Sequence, residues 1–107
     1  MTLDGHDQLA RAPLRAGDLE LDLARRTVHQ AGRQVDLSPT EFRLLACLMR
    51  NHGRVLSREQ ILREGWSDGA ARQLQIVDTY VSYLRRKLRS PVIRTERGAG
   101  YCLSLAA

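Results

Sequence analysis

Hydrophobic positions along the chain change period twice, and each change predicts a different kind of element. From residue 14, "LRAGDLELDLARRTVHQAGRQVDLS" sets Leu19, Leu21 and Leu23 against Asp18, Glu20 and Asp22, the period-2 alternation of a strand with one buried face. "ARR" and "AGR" then punctuate the run and predict turns between short strands at about 27–30 and 33–37. An antiparallel meander of three or four strands results, with one face needing cover. The period then becomes helical. In "SPTE" at 38–41, Ser stands at the N-cap, Pro at the first helical position and Glu three residues after Ser, a capping box that starts a helix at Ser38 or Pro39. Phe42, Leu45, Ala46 and Met49 lie at helical spacing and Gly53 supplies the stop. After an extended "RVLS", Ser57 and Gln60 form a second capping box and open a short helix, "REQILREGW", that ends near Gly65.

"SDGAA" reads as a loop, and a third helix is predicted from about Arg72 to Arg89, with Pro91 preventing its continuation. At about 100° per residue, Val77, Val81, Leu84 and Leu88 fall within about 60° of one another and form its buried face. Opposite them lie Gln75, Thr79, Ser82 and Arg86, flanked by Tyr83 and Arg89. That set contains no Asp or Glu, whereas an ordinary solvated face mixes both signs. "VIRTERGAGYCLSL" then predicts a hairpin: a strand over Val92–Thr95, a turn around Gly98 and Gly100, and a strand over Tyr101–Leu105. Residues 1–13 are polar, end at Pro13 and read as a linker or flexible tail; residues 14–107 read as one domain.

Composition adds an asymmetry. Hydrophobic residues make up 43% and charged residues 27% of the 107, the balance of a globular chain and not of a disordered one. No apolar run approaches the roughly 20 residues of a membrane span, and "MTLDGHDQLARAP" lacks the apolar region of a signal peptide, so a cytoplasmic protein with no membrane partner is expected. Residues 1–71 carry ten Arg against ten acidic residues, while residues 72–107 carry seven basic residues against Asp78 and Glu96, so the whole excess of +5 sits in the C-terminal third. Sixteen of the seventeen basic residues are Arg, suited to bidentate contacts with phosphate and guanine, although genome composition explains Arg-rich usage equally well.

Two short helices, a loop, a third helix with a polar face free of acids, and a hairpin bearing Arg94 and Arg97 are the order of a winged helix-turn-helix. In such a module the third helix enters the major groove and the hairpin reaches along the backbone or into the minor groove. Short side chains such as Thr79 and Ser82 permit close approach; Gln75 suits adenine, Arg86 guanine or phosphate, and the Thr79 methyl thymine.

"LSPTEFRLLACLMRNHGRVLSREQIL", "IVDTYVSYLRRKL" and "IRTERGAGY" together resemble the effector domain of OmpR/PhoB-type response regulators over about residues 14–105. The resemblance implies an α+β fold: a winged helix-turn-helix with an N-terminal antiparallel four-stranded sheet, three helices and a C-terminal β-hairpin wing. It implies sequence-specific binding to double-stranded DNA as the output domain of a two-component regulator. A receiver domain absent from this chain would answer to a sensor kinase, making the chain a fragment of a longer protein. It further implies direct repeats bound by a homodimer, and RNA polymerase as a partner of loop 67–72, although the small residues of that loop fit the role poorly. By position, Gln75, Thr79, Ser82 and Tyr83 match residues facing bases or nearby backbone, and Arg97 the wing residue that enters the minor groove. Arg58, Trp66, Arg72, Tyr80, Arg85, Arg89, Arg94, Thr95 and Tyr101 are the expected backbone contacts; helical geometry singles out Arg86 where the family pattern points to Arg85, so both are kept. Many members carry Arg at the positions of Gln75, Ser82 or Tyr83, a departure that implies different bases or greater dependence on the wing.

Several residues have plainer explanations. A basic helix end also complements the helix dipole, and Lys87 is expected to remain solvated. Asp78, awkward beside phosphate, is expected in an ion pair with a basic residue of another element; Glu41 is explained by capping alone. Trp66 is expected as a core anchor whose indole N–H can serve at the rim, and Tyr80 as half-buried. His52 is read as a helix-end residue. Cys47 and Cys102 are expected as free buried thiols, too few for the roughly four clustered ligands of a zinc site, and no metal or cofactor is expected. Catalysis is not expected, because "RGAGY" lacks the spacing and following helix of a nucleotide fingerprint and no pair of carboxylates, Cys/His pair or Gly-rich phosphate loop follows a strand in the required context. A protein-interaction module would instead show acidic or large apolar residues on the third helix.

Overall fold

The computed structural model describes residues 13–66, 73–89 and 92–104. Four short strands, β1 (Leu14–Ala16), β2 (Leu19–Asp22), β3 (Thr27–Gln30) and β4 (Arg33–Val35), form an antiparallel sheet in sequence order. Leu21 pairs with Leu14 on one side and Val28 on the other, and Val28 with Val35. This register places the apolar members of the alternation on one face. The β3–β4 turn has two residues, Ala31 and Gly32, both at positive φ (52° and 82°), the geometry whose twist matches that of a hairpin. The fourth strand of the meander is Leu14–Ala16, and β4 stops at Val35, short of the predicted 37.

Helix α1 (Pro39–Arg50) covers the sheet. Both halves of its capping box are made: Ser38 Oγ accepts from the Glu41 N–H, and the Glu41 carboxylate accepts from the Ser38 N–H. Leu44, Leu45, Cys47 and Leu48 are fully buried. Helix α2 (Arg58–Gly65) starts in the same way at Ser57 and Gln60 and ends on Trp66 as its C-cap. Arg43 Nε donates to the Gly65 carbonyl at 3.1 Å, and the Cys47 thiol donates to Glu64 Oε1 at 3.3 Å, so α1 holds the C-terminal end of α2. Burial, with Glu64 beside it, pushes the Cys47 thiol up to about 12, which keeps it protonated and unreactive.

Helix α3 (Gln75–Lys87) is shorter than the predicted 72–89. Its N-cap is Leu74, which offers no side-chain acceptor, and residues 67–72 lie outside the described ones. At the other end Leu88 is already extended (φ −88°, ψ 138°) and turns its side chain into the core. The Arg89 N–H donates to Gln30 Oε1 at 2.7 Å, tying the end of α3 to β3. Strands β5 (Ile93–Glu96) and β6 (Gly100–Leu103) form the hairpin, with the turn over 97–99. Gly100, expected in the turn, is the first residue of β6. Leu56 and Tyr101 exchange backbone hydrogen bonds at 2.8 and 3.0 Å, which seats the hairpin against the segment entering α2. A single core of Leu19, Leu21, Val28, Leu45, Ile61, Val77, Val81, Leu84 and Leu103 joins sheet, helices and hairpin.

Candidate nucleic-acid interface

Because Val77, Val81 and Leu84 are drawn into the core, α3 presents the opposite side to solvent. Gln75, Thr79, Ser82, Tyr83 and Arg86 are all exposed there, as the periodicity predicted. The Thr79 hydroxyl donates to the Gln75 carbonyl at 3.3 Å. An aromatic chain borders the face: Trp66 and Tyr80 stack edge-on at 5.6 Å, Tyr80 and Tyr83 at 5.2 Å, and the Arg86 guanidinium lies 5.6 Å from the Tyr83 ring centre. Trp66 is buried, Tyr80 half-buried and Tyr83 37% exposed, so Tyr83 is the most accessible ring of the three.

Asp78, the one acid of α3, stands at the edge of this face, half-exposed and paired. Its Oδ1 accepts from Arg58 Nε at 2.8 Å and from the Tyr101 hydroxyl. This is the ion pair with another element that the sequence predicted. Burial pushes the Asp78 carboxyl up, but the hydrogen bonds from Tyr101 and Arg58 outweigh it and hold the group below the ordinary range. The bond to Asp78 raises Arg58, and burial with the same bond raises Tyr101.

The remaining expected contacts divide by what their polar atoms already do. Arg97 is exposed at the turn between β5 and β6 with no partner among the described residues. Arg94 pairs with Glu96 and reaches Ser104 Oγ at 3.3 Å. Arg85 bends onto the hairpin, its Nη2 donating to the Ile93 carbonyl and to Thr95 Oγ1, each at 2.7 Å. Geometry and family pattern thus separate: Arg86 is directed outward over Tyr83, while Arg85 holds the wing. Arg89 lies with Arg33, Gln34, Asp36 and Lys87 along a groove of about 300 Å³ between the sheet and the end of α3. Arg72 lies outside the described residues.

Two expectations need correction. Lys87 is not simply solvated: its Nζ donates to Glu41 Oε1 at 2.6 Å. Glu41 therefore does more than cap. Their approach depends on how α3 crosses α1, which no local pattern encodes. The seat of Gly100 on Leu56 is likewise a tertiary contact, signalled in the sequence only by glycine itself. Among the described residues no group of three or more His, Cys, Asp or Glu side chains could hold a metal ion, and no helix is long and apolar enough to cross a membrane.

A sheet, three helices with an acid-free polar face on the third, and a hairpin wing define a winged helix-turn-helix DNA-binding domain. The chain belongs to the family described as transcriptional regulatory protein, C terminal, which matches residues 32–103, and it is the DNA-binding output domain of a response-regulator type of transcriptional regulator, not an enzyme. It is 52% identical over 93 residues to the transcriptional regulatory protein TrcR of Mycobacterium tuberculosis, covering 84% of this chain and 36% of TrcR. It is 48% identical over 94 residues to the phosphate regulon transcriptional regulatory protein PhoB of Rhizobium meliloti, covering 84% and 41%. The chain thus spans about two fifths of the length of the curated relatives it matches. Among solved structures, the DNA binding domain of CpxR from E. coli superposes with a TM-score of 0.78 at 33% identity, over 89% of this chain and 98% of that one. The Klebsiella pneumoniae RstA DNA-binding domain, solved in complex with the RstA box, superposes at 0.77 with 28% identity, over 87% and 97%.

Proposed function

We propose that the domain reads double-stranded DNA by laying α3 in the major groove, with Gln75, Thr79, Ser82 and Tyr83 toward base edges, and by setting Arg97 of the wing in the adjacent minor groove. One observation carries the reading. The only carboxylate of α3 is held at the flank of the helix by Arg58 and Tyr101, leaving an outward face of polar side chains with Tyr83 and Arg86. An acid on that face would repel phosphate, and long apolar side chains would keep the helix from the base edges. The likeness to the RstA domain, solved with its DNA box, supports duplex DNA as the partner.

Arg86 supplies phosphate grip over the Tyr83 ring; Arg58, Trp66, Tyr80, Arg94 and Thr95 frame the backbone track together with Arg72 and Arg89, while Arg85 and Tyr101, whose polar atoms are engaged within the fold, hold the wing beside it. In the whole protein we place a receiver domain, phosphorylated by a sensor kinase in the bacterial cytoplasm, ahead of this one. Its phosphorylation favours head-to-tail homodimers on direct repeats, and RNA polymerase is the further partner proposed for residues 67–72, which lie outside the described residues. The names of the relatives, transcriptional regulatory protein and response regulator protein, support a role in transcription regulation.

Selecting bound sequences from a random duplex library tests the reading. Gln75→Ala and Ser82→Ala should each relax preference at a different base position, and Arg97→Ala should weaken binding and relax an A/T-rich flank, by roughly 1–3 kcal/mol for each base no longer read. Selected motifs identical to wild type in all three variants would reject the assignments.

A further inference from the structure

The wing is gripped by α3 at one rung. Thr95 of β5 and Tyr101 of β6 are cross-strand partners. Asp78 and Arg85 stand seven residues apart on α3, a spacing that returns to the same side of a helix. Asp78 accepts the Tyr101 hydroxyl, while Arg85 donates to Thr95 Oγ1 and to the neighbouring Ile93 carbonyl. The guanidiniums of Arg58 and Arg85 lie 5.3 and 5.6 Å from the Tyr101 ring centre, so the ring sits among cations of two helices. On the remaining side Tyr101 is bonded through its backbone to Leu56. Arg97 is two residues beyond Thr95, so a rotation of this rung would swing the wing tip relative to the outward face of α3.

We propose that Asp78, Arg85 and Tyr101 are positioning residues that fix the wing to the recognition helix, so that the distance between helix-read bases and the wing-read flank is set by this rung. The inference rests on the groove assignments proposed above. It explains why α3 keeps an acid at all: Asp78 reads no base but holds the donor that orients the second reading element. It also gives Arg85 a task that Lys could not perform, because two nitrogens of its guanidinium, Nε at 3.2 Å and Nη2 at 2.7 Å, close on the Ile93 carbonyl, a fork that an ammonium with one nitrogen cannot reproduce.

Tyr101→Phe, which keeps the ring and removes the hydroxyl, and Arg85→Lys, which keeps the charge and removes the fork, separate this role from folding and from charge. In the free protein, amide hydrogen exchange in β5 and β6 should become about fivefold faster in each variant while β1–β4 stays at the wild-type rate, the factor expected for removing one ordinary hydrogen bond locally. In library selection, the helix-read bases should persist in Tyr101→Phe while their spacing to the A/T-rich flank broadens. General destabilisation would accelerate exchange in all strands alike and leave the spacing narrow. That result, or wild-type exchange in the wing, overturns the proposal. If Arg97→Ala shows that the wing reads no flank, the minor-groove assignment falls, and the exchange measurement still decides whether this rung holds the wing.

Discussion

One carboxylate oxygen of Glu41 accepts from the Ser38 N–H at 2.9 Å and from Lys87 Nζ at 2.6 Å, in a residue only 5% exposed. Burial alone pushes this carboxyl up, but Lys87 and Ser38 outweigh it and the group is held below the ordinary carboxylate range. Truncating Lys87 leaves a buried charge with its cap but without its counter-ion. Lys87→Met should therefore cost about 1–2 kcal/mol at pH 7, less than a fully buried pair would lose because the ammonium is partly solvated. The pH dependence has a definite sign. A carboxyl lowered on folding contributes its stability above the unfolded value, near 4.3 for Glu, and loses it as pH falls through the lower folded value. Urea unfolding at pH 7 and near pH 3 should show the gap between wild type and Lys87→Met shrinking in acid. A gap of equal size at both values would mean that the ion pair is not its source.

Local signals and tertiary contacts part company at the scale of elements. Both capping boxes were legible in four-residue strings, because the cap and its acceptor lie on one turn of chain. The alternation of β2 and the buried stripe of α3 were legible because each is the period of its own element. The ends of α3 were not: Leu74 carries no cap acceptor, and Leu88 leaves the helix because the core takes its side chain. Among the site residues, the exposed set on α3 followed from periodicity. The engagement of Arg58, Arg85 and Tyr101 depends on which elements meet and lay beyond any local pattern. Gly100 and Gly98 show the same division in energetic terms. At Gly98 (φ +75°) a Cβ would meet open space, whereas at Gly100 (φ +137°) it would overlap the Leu56 carbonyl. Gly98→Ala should cost about 1 kcal/mol from the backbone conformation alone. Gly100→Ala should cost about 2–4 kcal/mol, strain and overlap together, as β6 is forced off Leu56. Chemical unfolding of the two variants measures the difference, and equal costs would show that the close approach carries no weight.

For the whole molecule, the net charge of +5 is carried by the C-terminal third of the sequence, but folding does not make every cation there equivalent. Arg86 and Lys87 are neighbours in sequence with different surroundings: Arg86 is directed over Tyr83 on the outward face, and Lys87 is bonded to Glu41 of α1. Each cation that meets a phosphate releases condensed counter-ions, so the slope of log K against log salt reports how many phosphates are neutralised, at about 0.9 for each on duplex DNA. Binding to a fixed duplex should therefore weaken as salt rises. Arg86→Ala should reduce the slope by about 1, as expected when one phosphate is no longer neutralised. Lys87→Met removes the same formal charge from the next position, yet should leave the slope at the wild-type value, because its ammonium is committed within the fold. Equal reductions in the two variants would mean that net charge alone drives association and that the orientation of α3 contributes nothing. A reduction confined to Arg86 would assign the electrostatic contact to the outward face, where the sequence-reading residues also lie.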